Sequence, residues 1–205
     1  MAKASTSGVF KITDNFKKLT QSVEALTNTQ VMVGVPDDKT SRKEGEINNA
    51  ELAYIHDKGS PEAGIPARPF MEPGIKAVKA QIEQEFQNAG KAILGGGKFG
   101  SAKSVEGYLN RIGLICVRSI RAVITAGIAP ELAPSTIKGR INRIKGKARK
   151  KKILAELASG TPASRQNGVE GLFTPLIVTG QLRNAITYVL RTVNKSYKIK
   201  TGKNK

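Results

Sequence analysis

The sequence predicts an α+β fold: a small antiparallel β-sheet with two long α-helices packed on it, plus a basic arm or insertion. Three observations lead there. Apolar residues recur at helical spacing along 12–26, 71–86 and 105–124. Short alternating runs at 31–35, 186–191 and 196–200 read as strands. Nine of the fifteen residues between 138 and 152 are Lys or Arg, which no packed core could absorb.

Taken in order, Ile12, Phe16, Leu19, Val23 and Leu26 mark one face of a first helix, with Thr13 or Asp14 as its N-cap. Val31-Met32-Val33-Gly34-Val35 alternates and stops at Pro36, as a strand does. Residues 37–47 are polar and charged, a surface loop. Asn49 caps a short helix through Leu52 and Ile55 that ends at Lys58-Gly59. A loop carrying Pro61, Pro66 and Pro69 follows, Pro69 falling where a first helical turn tolerates proline. Met71, Ile75, Val78, Ile82 and Phe86 predict a long helix ended by Gly95-Gly96-Gly97. Val105, Leu109, Ile112, Cys116, Ile120 and Val123 predict a second, whose wide apolar arc suits burial on more than one side. After Pro130 and Pro134, Ser135 caps a third stretch with Ile137, Ile141, Ile144 and Ala148 on one face, although Gly139 and Gly146 weaken it. Residues 159–171 read as a mobile loop. Leu182 and Ile186 form a helical turn, and the last strands run around a turn near Asn194.

At 205 residues the chain suits one domain with excursions, or one domain plus an arm, and a 39% hydrophobic fraction leaves part of it outside the core. Three segments are predicted: an N-terminal helix at 1–29, a core at 30–137 and 172–205, and a basic insertion with its loop at 138–171. The start, Met1-Ala2-Lys3-Ala4-Ser5, has no apolar run of a secretory signal. Apolar stretches such as Leu114-Ile115-Cys116-Val117 are cut by Arg111, Arg118 and Arg121, so no membrane span is expected. Cys116 is the sole cysteine, which excludes an internal disulfide and suits a reducing compartment. Aromatics are 5% of residues and tryptophan is absent, against a large aromatic ligand pocket.

Charge is the strongest bulk signal. Residues 1–131 carry 17 basic and 14 acidic side chains, whereas residues 132–205 carry 17 basic and only Glu156 and Glu170. The polyanion- or partner-binding candidates are Lys138, Arg140, Arg143, Lys145, Lys147, Arg149, Lys150, Lys151 and Lys152. Phosphates match such density, because each contact releases counterions. A negatively charged protein surface is the alternative, and a solvated arm the bland one. No aromatic interleaves these charges, so base stacking is not supported.

A search for chemistry finds no catalytic set. His56 precedes Asp57, but adjacent helical residues point about 100° apart and rarely share a hydrogen bond. Neither a nucleophile nor a metal partner accompanies them, so a structural histidine is the reading. Cys116 lies among Leu114, Ile115 and Val117, where a buried small hydrophobe is expected. One histidine and one cysteine sixty residues apart make no metal site. Gly95-Gly96-Gly97-Lys98 lacks phosphate-loop spacing and follows a helix, not a strand. No cofactor is expected.

Three segments nevertheless form a pattern. They are Tyr54-Ile55-His56-Asp57-Lys58-Gly59 with Gly64-Ile65-Pro66-Ala67-Arg68-Pro69-Phe70, then Leu132 to Lys138, then Thr174 to Tyr188. Their order resembles the tailed-bacteriophage tail-completion and neck (head–tail joining) proteins, in which a His-x-x-Gly turn, a Pro-Ala-Arg-Pro-Phe step and a Leu-x-x-Thr-Gly-x-Leu element recur. The likeness runs over residues 30–200, with a departure between Arg140 and Leu172, where the family has a short connection. The residues themselves read structurally. Gly59 leaves a helix, Pro66 and Pro69 stiffen a loop, Phe70 and Met71 staple a helix start, and Thr179 caps the turn at Gly180. Arg68, fixed between Ala67 and Pro69, is a candidate for an inter-subunit contact.

The resemblance implies a non-enzymatic virion protein, made in the bacterial cytoplasm, that assembles as a homo-oligomeric ring at the neck. Its implied partners are copies of itself, a portal-side connector or adaptor and tail terminator or tail tube proteins. Such a place also implies non-specific contact with packaged DNA, and no membrane partner. The competing reading is a basic nucleic-acid-binding protein of nucleoid or RNA-binding type, motivated by a pI near 10.2.

Overall fold

The structure, a computed structural model, describes residues 7–36, 47–95, 102–158, 173–177 and 180–193. Among them are eight helices and two strands: α1 (Ser7–Asn28), β1 (Thr29–Gly34), α2 (Asn49–Lys58), α3 (Met71–Ala77), α4 (Lys79–Leu94), α5 (Ala102–Ala126), α6 (Pro134–Asn142), α7 (Lys147–Ala158), α8 (Gln181–Ala185) and β2 (Thr187–Thr192). The α+β class holds in this coarse form, as a mostly helical chain with one two-stranded antiparallel sheet, β1 against β2. The chain divides into two compact units, one of Met1–Met32, Ala80–Gly113 and Val189–Lys205, the other of Val33–Lys79 and Leu114–Tyr188.

In the first unit, α1 runs without a break into β1. The Ser22 hydroxyl is buried and donates to the Lys18 carbonyl at 2.9 Å, so its burial leaves no unmet donor. Ala89 and Ile93 of α4, and Val105, Leu109 and Ile112 of α5, are buried at the i, i+4 and i+7 spacing of one helix face. Outside that face, Arg111 meets Glu85 at 3.4 Å and lies 4.6 Å from the Tyr108 ring centroid. Sheet pairing continues past β2, where the Val193 amide donates to the Asn28 carbonyl at 2.7 Å.

The second unit is built on Phe70, Ile120, Ile124, Leu176, Leu182 and Ile186, with Val33, Leu52, Met71, Val123 and Ile177 packed against them. Phe70, Ile120, Ile124 and Ile186 have no exposed surface, and each such side chain stabilises the fold by about 1.5–3 kcal/mol. Helix α3 approaches α5 at Gly74, where an added Cβ would stand 2.7 Å from Ile120 Cγ1 and 2.8 Å from its Cα. The Ser119 hydroxyl fixes this approach by donating to the Gly74 carbonyl at 2.6 Å. A smaller cluster, Ile141 and Ile153 with Ile137, Ile144 and Phe173, holds α6 and α7 together.

Several expectations change. The long helix from Met71 is two helices, because Val78 leaves helical geometry (φ −113°, ψ 14°) and its amide turns to the Ile75 carbonyl. Three helices, α1, α4 and α5, therefore reach 16 residues or more, in place of the two expected. The first helix starts at Ser7, ahead of Thr13 and Asp14, since Val9 extends the Ile12–Phe16 spacing backwards. Phe70, not Pro69, stands at the start of α3. Pro134 takes the first turn of α6 and Ala133 its cap, ahead of Ser135. The stretch continuing toward Ala148 is broken at Arg143–Gly146, where Gly146 has φ +110°. The loops at 37–46 and 159–171, Thr179, and the strand at 196–200 lie outside the described residues.

Candidate functional site

Helix α2 starts with a capping box: Asn48 accepts the Glu51 amide at 2.8 Å and its own amide donates to Glu51 Oε2 at 3.1 Å. The cap is thus Asn48, and Asn49 is the buried first helical residue. At the other end the Gly59 amide donates to the Ile55 carbonyl at 2.7 Å. Gly59 has φ +80°, and a Cβ there would lie 2.7 Å from the Ala67 nitrogen. Only glycine meets both conditions.

From Gly59 the chain makes a tight hairpin. Ser60 and Ile65 exchange backbone hydrogen bonds of 2.8 and 2.9 Å around a turn with Gly64 at φ +63°. It then returns antiparallel to α2, the Arg68 amide donating to the His56 carbonyl at 2.8 Å. The buried Asp57 carboxylate closes this loop, Oδ1 accepting the amides of Phe70 at 2.9 Å and Met71 at 3.2 Å. Those are orphan donors at the start of α3, so Asp57 caps that helix from thirteen residues away. Burial raises the Asp57 pKa, but the two amides and the Lys58 ammonium at 3.2 Å outweigh it and hold the carboxyl below its ordinary value.

Arg68 is 6% exposed. Its Nε donates to the Pro130 carbonyl at 2.8 Å and its Nη2 to the Glu131 carbonyl at 3.0 Å. The guanidinium thereby anchors the chain just before α6. Arg140 has an equivalent place: its Nη1 donates to the carbonyls of Thr174 at 3.0 Å and Ile177 at 3.3 Å. Between these carbonyls Leu176 adopts φ +65° with its side chain buried. A non-glycine residue there costs about 1–3 kcal/mol, offset by that burial and by the Arg140 bonds. Burial, then the charges of Arg143 and Arg68, push the Arg140 guanidinium below its ordinary value.

These ties gather the three motif segments around one cleft of about 950 Å³. The first segment supplies His56, Lys58, Gly59, Ile65 and Arg68; the second, Leu132, Ala133 and Thr136; the third, Leu176, Gly180 and Leu182. Helix α8 packs against α2 below it. Gly180, at φ +73°, starts α8, and Arg121 of α5 fastens the far end by donating to the Asn184 and Ile186 carbonyls at 3.2 and 2.7 Å. Comparison with protein-family models, curated proteins and solved structures found no match.

The other expected residues fall as follows. Lys138, Arg143, Lys145, Lys147, Arg149, Lys151 and Lys152 are exposed along α6, the turn and α7. Lys150 is half-buried and donates to Asn142 Oδ1 at 2.8 Å, and Arg140 faces the cleft. The nine cations are therefore not equivalent, since Arg140 and Lys150 are less exposed than the rest and bond to the fold. His56 lines the cleft while Asp57 faces the α3 amides, so the neighbours serve different walls. Cys116 is 3% exposed, and burial pushes its thiol up, away from the reactive thiolate. Among the described residues no group of His, Cys, Asp and Glu could hold a metal ion, and no helix is long and apolar enough to cross a membrane.

Two positions escape sequence reasoning. Asp57 as a remote cap has one faint signal: Pro69-Phe70-Met71 opens a helix with no Ser, Thr, Asp or Asn to cap it. Arg140 sits in a basic run that hides its structural task, and no spacing rule separates it from its neighbours.

Proposed function

We propose that this chain is a structural protein of a tailed bacteriophage that completes or stabilises the head–tail joint as a closed homo-oligomeric ring. The observation that supports this reading is the convergence of its three motif segments, 54–70, 132–138 and 174–188, on one cleft. Segments up to about a hundred residues apart in the chain carry the resemblance in order, and each contributes to the same wall-and-tie system. A shared fold requirement of that kind is what a family pattern preserves when it has no active site.

On this reading the protein works through surfaces. It docks copies of itself, a portal-side connector or adaptor on one face, and a tail terminator or tube protein on the other. It needs no cofactor and catalyses nothing. Head-to-tail contacts close into a ring when the rotation per subunit divides a full turn. A second reading, a nucleic-acid-binding protein, is favoured by one observation: seven of the nine cations at 138–152 are exposed, a density that phosphates match. Negative-stain imaging of the purified full chain separates the two. Closed rings with a central channel are expected, whereas monomers that associate only on added DNA would support the second reading.

A further inference from the structure

The cleft has a chemistry of its own. Lys58, Arg68 and Arg140 line it, with His56, against the single carboxylate of Glu131. Arg68 is more than nine-tenths buried, and its guanidinium donates to two neutral carbonyls. Among the described residues no carboxylate lies within ion-pair distance of its guanidinium. A guanidinium has five N–H donors, so two such bonds leave the Nη1 side free to receive an anion. A buried charge without a counter-charge is costly, and an incoming anion would relieve that cost.

Leu52, Ile65, Leu132, Leu176 and Leu182 supply apolar surface to the same cleft, beside a rim stiffened by Pro61 and Pro66. A phosphodiester chain gains nothing from that surface. A peptide with a carboxylate next to apolar side chains matches both features, and a charge-assisted hydrogen bond to arginine would fix its register. We propose that the cleft binds an extended acidic–apolar peptide segment of a neighbouring protein, with its carboxylate seated between Arg68 and Arg140. The joint-protein reading would make that neighbour a neck or tail component, but the chemistry of the cleft does not depend on it.

The test uses the full chain and three blocked octapeptides alternating Leu with Glu, Gln or Lys, followed by anisotropy and by amide shifts of the isotope-labelled protein. The Leu-Glu peptide should bind at least about tenfold more tightly than the Leu-Gln peptide, a difference of about 1.4 kcal/mol. It should shift the amides of Gly59, Ile65, Thr136 and Leu182, and the Leu-Lys peptide should not bind. Thr136 is exposed on the cleft wall, four residues before Arg140 on α6, so Thr136→Glu places a carboxylate beside the guanidiniums while removing neither arginine. That variant should fold, melt no lower than wild type and lose the preference, while Thr136→Gln keeps it. Equal binding of the Glu and Gln peptides, or an unchanged preference in Thr136→Glu, overturns the inference. So does tighter binding of a short DNA duplex at the same amides, which would assign the cleft to phosphate. If the peptides fail while the purified protein still forms neck rings, the cleft inference falls and the joint-protein reading stands.

Discussion

The Asp57 carboxylate accepts the amide of Phe70 at 2.9 Å, joining the last turn of α2 to the start of α3 across the twelve-residue loop 59–70. This contact fixes the loop that carries Gly59, Arg68 and the cleft rim. Asp57→Ala should therefore destabilise the fold by about 1–3 kcal/mol, the cost of leaving buried donors unmet. Chemical denaturation measures it, and Asp57→Asn should lose less because an amide oxygen still accepts. The sign of the pH dependence follows from the lowered pKa. A carboxyl held below its unfolded value, about 3.9, contributes fully above that value and loses its contribution as pH falls through the folded pKa. Below about pH 4, wild type should thus lose stability faster than Asp57→Asn.

Arg68 gives a prediction that separates an internal tie from an intermolecular one. Arg68→Ala leaves the Pro130 and Glu131 carbonyls without their donor, so the melting temperature should fall even in dilute samples that hold only monomer. An unchanged monomer with altered oligomer size would place Arg68 at the interface instead.

Gly74 and Gly139 form an internal control pair. Gly74→Ala drives a Cβ into the Ile120 backbone and should cost about 1–3 kcal/mol by overpacking. Gly139 lies in α6 with nothing within 4 Å of the same position, so Gly139→Ala should stabilise by up to about 1 kcal/mol. Urea midpoints of the two variants should move in opposite directions.

Helical periodicity made α1, α2 and α5 legible, and the glycine after Lys58 ended α2 where expected. Alternation found both described strands. The break at Val78 was not legible, because the apolar spacing continues through it from Ile75 to Ile82 while only the backbone turns. The cleft was half legible. Its segments could be named as motifs, but their meeting depends on Arg68 and Arg140 reaching carbonyls more than thirty residues away, and bonds to backbone carry no side-chain signature. Composition likewise pooled nine cations that the fold divides into exposed and anchored.

That division can be measured. If the exposed cations meet six phosphates of duplex DNA, log K should fall against log salt with a slope of about −5. Replacing Lys147, Lys151 and Lys152 with Gln should make the slope shallower by about 3. Replacing Arg140 should instead lower the melting temperature, because it holds the Thr174 and Ile177 carbonyls. A flat salt response of the wild type would exclude phosphate contact and turn the search to an acidic protein partner.

The central claim is a place at the head–tail joint, and electron microscopy of lysates from a phage lacking this gene tests it most directly. DNA-filled heads and separate or abnormally ended tails are predicted, with joining restored when the purified protein is added. Complete, infectious virions in the absence of the gene would contradict the account.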